Sequence, residues 1–170
     1  PPPDLPPPRP ELPPAPPLPP SPPQPPVLPT PSAEGSRVVR LFGHYLLGGS
    51  PLVLSGGDLT LEGGGAEGAT LDAEGLSRAI EVTDGASLTL RGIHVVNGNA
   101  TSGGGLLVHG AGTSLLMEGC SVRDSVATGS SQDAGVTDGA RARGGGGLAV
   151  QVGARAVLVE STIADCAATN

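Results

Sequence analysis

Few side chains in this 170-residue sequence have types and spacing suited to chemistry. Asp124 and Asp165 close two segments of the same form, Cys120-Ser-Val-Arg-Asp124 and Ser161-Thr-Ile-Ala-Asp165. If those segments stack as neighbouring strands, the two carboxylates lie about 5 Å apart. A pair at that spacing can hold a cation or share a proton, so Asp124 and Asp165 are the metal candidates. A solvated turn column is the plainer use of both. Asp84 and Asp138 lie in Thr-Asp-Gly-Ala segments, where Asp bonds its own backbone in a turn. Asn99-Ala100-Thr101 has the form N-x-[ST], which makes Asn99 a glycosylation candidate. His44, His94 and His109 occupy different strand positions with no second ligand at metal spacing, and read as structural or surface residues. The glycine-rich stretches lack a phosphate-cradling pattern, and no Ser nucleophile motif is present. We therefore assign no catalytic residue and no cofactor.

The elements that must position these residues follow from composition. All but one of the 20 prolines precede residue 32, and all 28 glycines follow it. Aromatics amount to Phe42 and Tyr45, which excludes aromatic cages and base-stacking platforms. All nine basic residues are Arg against 16 acids, and the net charge of −7 disfavours nucleic acid as a partner. No apolar run approaches the roughly 20 residues of a membrane span. Cys120 and Cys166 fall at different repeat positions, so the reading leaves them unbridged. The chain opens at Pro1 without a leader and stops inside a repeat, and is expected to be a piece of a longer protein.

Residues 1–36 read as a disordered proline-rich stalk or linker. Proline fixes φ and removes donors, so this arm is expected to form an extended polyproline II rod of up to about 95 Å. Arg9 is not at the offset of an SH3 ligand, and a stiff spacer is the expected role.

Residues 37–170 carry a repeat. Leu59-Thr-Leu-Glu-Gly63, Leu88-Thr-Leu-Arg-Gly92, Leu115-Leu-Met-Glu-Gly119 and Val157-Leu-Val-Glu-Ser161 start 29, 27 and 42 residues apart. The long interval holds a polar, glycine-rich insertion, 128–144. Each of the last three is preceded by an alternating strand (79–82, 105–108, 147–150) and followed by another (93–97, 120–124, 161–165). Alternation sends Ile80/Val82, Leu106/Val108, Leu148/Val150, Leu59/Leu61, Leu88/Leu90, Leu115/Met117 and Val157/Val159 inward, with Val95, Val122 and Ile163. Stacked coils would turn these into aliphatic columns, each coil covering its neighbour. An antiparallel sandwich accommodates the short strands but not their recurrence in phase. The outward residues then form a Glu62/Arg91/Glu118/Glu160 column, a Thr60/Thr89 pair, and an apolar patch of Leu116, Leu158, Leu107 and Ala149 for the insertion or a partner to cover.

The order of aliphatic strand, Asp-Gly-Ala turn, L-T-L-x-G strand, short strand and Gly-Gly-Gly turn resembles the pectin-lyase-like superfamily. That resemblance implies an all-β, right-handed parallel β-helix of about three to four coils. Gly103–Leu106 and Gly145–Leu148 resemble the repeats of polymorphic outer-membrane and adhesin-like surface proteins. The column where those repeats carry Asn reads Gly98, Ser125, Cys166 here. Ser21-Pro22-Pro23 resembles hydroxyproline-rich wall glycoproteins, which implies a glycosylated stalk. The function expected is a non-enzymatic extracellular or cell-surface structural and adhesion module, with carbohydrate or cell-wall and surface proteins as partners. The alternatives are a fragment of a pectate lyase- or polygalacturonase-like enzyme whose catalytic coils lie outside this chain, and an intracellular scaffold that uses the proline arm.

Overall fold

The structure, a computed structural model, describes residues 37–129 and 145–169. The expectations for the proline arm, for Asp138 and for most of the 128–144 insertion lie outside those residues. The described chain is all strand and turn, without a helix. It winds into a parallel β-solenoid of four sheets, each built from strands of successive coils.

The first sheet stacks β1 (Arg37–Leu41), β4 (Asp58–Gly63), β7 (Ser87–Arg91), β11 (Ser114–Glu118) and β15 (Arg155–Val159). The second stacks β2 (Gly43–Leu46), β5 (Ala69–Asp72), β8 (Ile93–Val96), β12 (Ser121–Arg123) and β16 (Thr162–Ala164). The third stacks β3 (Leu52–Ser55), β6 (Ile80–Thr83), β10 (Leu106–His109) and β14 (Leu148–Gln151). A short fourth sheet holds β9 (Asn99–Ala100), β13 (Val126–Ala127) and β17 (Ala167–Ala168). Every pairing is parallel. The described residues thus pass from first sheet to second to third and back, by way of the fourth sheet from β9 onward, with five passes through the first sheet. The extra coil relative to the sequence count is the first one, β1–β3.

Period-2 alternation decides what fills the interior. Leu59 pairs with Leu88 and Leu88 with Leu115, and one step along, Leu61, Leu90 and Met117 form a parallel file. Val82 and Val108 line the third sheet, and Leu71, Val95 and Val122 the second. These side chains are almost entirely removed from water. A lumen this narrow admits aliphatic side chains better than rings, consistent with the two aromatics of the whole sequence.

The last coil corrects one expectation. Leu115 pairs with Ala156 and Met117 with Leu158, so Ala156 and Leu158 point inward, not Val157 and Val159. Glu118 pairs with Val159, which removes Glu160 from the outward charged column, and the outward neighbour of Leu116 is Val157, not Leu158. The cause is turn length. The third-to-first-sheet turn spans 84–86 after β6 and 152–154 after β14, but 110–113 after β10. One additional residue there makes the offset between the fourth and fifth coils 42 before the turn (Val108 to Val150) and 41 after it (Leu115 to Ala156). Leu158 and Ile163 remain 38% and 40% exposed because no coil lies over them among the described residues.

The Gly-Gly-Gly turns answer a packing need. At Gly104 a Cβ would overlap the Val126 carbonyl and lie 2.8 Å from Gly146 O, both backbone atoms of the next coil. Only a residue without a side chain lets the chain pass between the fourth and third sheets at this separation.

Candidate functional site

The corner after the second sheet carries the acid candidates. β12 and β16 pair Arg123 with Ala164, which puts Asp124 and Asp165 at successive levels of one column, with Asn97 below them. All three adopt left-handed backbone, φ 55°, 52° and 55° for Asn97, Asp124 and Asp165, a conformation that Asn and Asp tolerate. Among the described residues no three His, Cys, Asp or Glu side chains group as a metal site. The column borders a depression of about 280 Å³ lined by Glu74, Gly75, Asn97, Gly98, Asn99, Asp124 and Val126.

Nearby polar groups clasp one coil to the next. Asn97 Nδ2 donates to Asp72 Oδ1 at 3.0 Å, the Glu74 amide donates to the same oxygen at 2.8 Å, and His44 Nε2 lies 3.1 Å from Asp72 Oδ2. Burial opposes the Asp72 charge, but these bonds outweigh it and hold the carboxyl below its usual range. Glu74 accepts the Gly48 amide at 2.9 Å, and Asp84 accepts the Ser55 hydroxyl at 2.6 Å. His94 bridges Ser121 Oγ (2.8 Å) and Glu67 O (3.0 Å), and His109 meets Glu81 at 3.1 Å. The three histidines are therefore surface and structural groups.

Small hydroxyls and thiols stand where an asparagine ladder would, in the Gly98/Ser125/Cys166 column, and recur at the corner between the first and second sheets. Ser125 Oγ donates to Arg123 O at 3.0 Å and accepts the Gly98 amide of the coil below at 3.1 Å. Cys120 Sγ donates to Glu118 O at 3.3 Å and accepts the Ile93 amide at 3.5 Å. Ser161 repeats the pattern, donating to Val159 O and accepting the Cys120 amide. Cys166 Sγ donates to Ala164 O at 3.1 Å. Each follows a left-handed residue (Gly119, Asp124, Glu160 or Asp165) and bonds the carbonyl two residues back. The readable signal was a small hydroxyl or thiol just after the corners at Gly119, Asp124, Glu160 and Asp165. Both cysteines are free, and burial raises the Cys120 pKa, keeping it a thiol.

On the outer face of the first sheet, the ladder expected from Glu62, Arg91 and Glu118 forms and gains Arg40. Arg40 Nε lies 3.2 Å from Glu62, Arg91 Nη1 3.5 Å from Glu62, and Arg91 Nε 2.5 Å from Glu118. Beside it runs an uncharged row, Val38, Thr60, Thr89, Leu116 and Val157. A second depression, about 350 Å³, lies at the ladder's start between Arg40, Phe42, Arg91 and the Gly63–Gly65 turn.

On the third sheet, Leu107 and Ala149 face outward yet are only 8% and 6% exposed. The chain's own turn approaches this face: a Cβ at Gly103 would lie 3.1 Å from that of Ala149. Arg78 anchors that turn through Ser102 O (2.8 Å) and Gly103 O (3.1 Å) while pairing with Glu81, and Gln151 Nε2 donates to Ser102 Oγ.

No protein-family model, curated protein or solved structure matches this chain.

Proposed function

We propose that this chain is a non-catalytic structural and adhesion module, extracellular or on the cell surface, built as a pectin-lyase-like solenoid. It contacts carbohydrate or a surface protein along the outer face of its first sheet. The observation that carries this reading is where the reactive side chains go. Asp72, Asp84, Glu62, Glu81, Glu118 and the three histidines all bridge coil to coil. Exposed pairs of this kind contribute about 0–1 kcal/mol each, so their role is to fix registration between coils. What the first sheet offers a partner is the Val38–Thr60–Thr89–Leu116–Val157 row, repeating at the strand spacing of about 4.8 Å.

The test uses the full chain on insoluble cellulose, chitin and pectin and on isolated cell walls. The expected result is retention on at least one surface, lost in a Thr60→Glu/Thr89→Glu variant, with no release of reducing or unsaturated ends. Release of such ends would replace this reading with a polysaccharide-active enzyme. Retention unchanged in the double variant would remove the first sheet as the contact face.

A further inference from the structure

The sequon at Asn99-Ala100-Thr101 falls where the fourth sheet begins. β9 pairs with β13 on one side, and among the described residues no strand of that sheet pairs on its other side. Asn99 and Thr101 are exposed, while Val126 and Ala167 occupy the Asn99 position in the next two coils. Asn99 Nδ2 donates to Gly75 O at 3.1 Å across the rim of the 280 Å³ depression. That volume lies just under the range of about 300–1,000 Å³ typical of small-molecule sites, and suits one sugar ring better than an oligosaccharide. Asp124 and Val126 line the rim, a carboxylate residue and an apolar one, while the Glu74 carboxylate accepts the Gly48 amide of the coil below.

We propose that Asn99 carries an N-linked glycan whose first N-acetylglucosamine rests in this depression. The inference rests on the extracellular placement proposed above. In the transfer, Nδ2 forms a bond to C1 of the sugar while the C1–oxygen bond to a lipid-linked diphosphate donor breaks. The lipid diphosphate leaves, and one Nδ2 proton passes to a carboxylate of the transferase. The other Nδ2 proton stays, so the nitrogen keeps one donor for Gly75 O. A sugar hydroxyl then donates to Asp124, and its N-acetyl methyl group covers Val126.

The test expresses the full chain behind a heterologous secretory leader in a eukaryotic host and reads intact mass before and after peptide-N-glycosidase. We expect one glycan, lost in Asn99→Gln and in Thr101→Ala and kept in Thr101→Ser. Secreted, folded and unmodified protein would overturn the proposal. After trimming to a single N-acetylglucosamine, amide exchange at Gly75 and Gly98 should slow by about fivefold relative to the same chain made without the glycan, the factor of one net hydrogen bond. Unchanged exchange would refute the seat in the depression. A native gene product that stays in the cytosol, while the leader-borne chain is glycosylated, would sink the extracellular reading and support the acceptor.

Discussion

Replacing Gly104 with Ala tests whether the glycine triplets are there for close approach, because Gly119 supplies a matched control. At Gly119, φ is +59° and nothing lies within 4 Å of an added Cβ, so Ala there bears only the left-handed backbone cost of about 1–2 kcal/mol. Gly104 has no such φ, but its Cβ would overlap Val126 O and lie 2.7 Å from Val126 C and 2.8 Å from Gly146 O. Relief requires the adjoining backbone to withdraw by about 1 Å in a close-packed wall. That strains three bonds of the same corner: Gly105 N to Gly146 O (3.1 Å), Leu106 N to Gly147 O (2.8 Å) and Val126 N to Gly98 O (2.7 Å). At about 1 kcal/mol net each, with some groups left unpaired, Gly104→Ala should cost about 3–4 kcal/mol. The measurement is urea unfolding followed by far-UV circular dichroism. A cost for Gly104→Ala equal to or below that of Gly119→Ala would refute the packing argument.

Three further outcomes follow from the same geometry. Leu90→Ala, in the middle of the Leu61–Leu90–Met117 file, should cost about 2–5 kcal/mol, whereas Leu158→Ala at the open end should cost less than about 1; similar unfolding midpoints would contradict the register. Because the folded-state pKa of Asp72 is depressed, its contribution is complete above the unfolded value and disappears as pH falls through the folded one. The stability gap between wild type and Asp72→Asn should therefore be full at about pH 6 and narrow below about pH 4, and a gap constant down to about pH 2 would contradict the clasp. Cys120→Ser should stay within about 1 kcal/mol of wild type, since Ser161 makes the same bonds one coil above, while Cys120→Val orphans the Ile93 amide and should cost about 1–3 kcal/mol in the same unfolding assay.

Much of the fold was legible because the lumen demands the same residue class at every level. Ile80/Val82 and Leu106/Val108 announce their pairing through alternation, and the structure pairs them as written. The first coil was less visible: Arg37–Leu41 and Gly43–Leu46 lack the L-T-L-x-G form, and the 64–68 turn separates β4 from β5 where a single glycine joins β7 to β8. The short β9, β13 and β17 were hidden because two residues carry no period. The Ser and Cys staples went unread because a lone small polar residue looks like any turn residue until its neighbour's amide is placed above it. At Asp124 and Asp165, spacing gave the shared column correctly, but spacing alone does not say what approaches a pair of carboxylates from outside.

The turn at 110–113 shows how such a molecule can change its exterior. Because the 152–154 bend is one residue shorter than its counterpart at 110–113, β15 sits one notch off the register of β14, so Val157 and Val159 come to the outside while Ala156 and Leu158 go in. Insertions and deletions at bends are thus a way to vary the outward texture level by level. One residue of each bend stays buried (Ala86, Thr113) or packs on the core (Ala154), so the winding persists while the bend length varies.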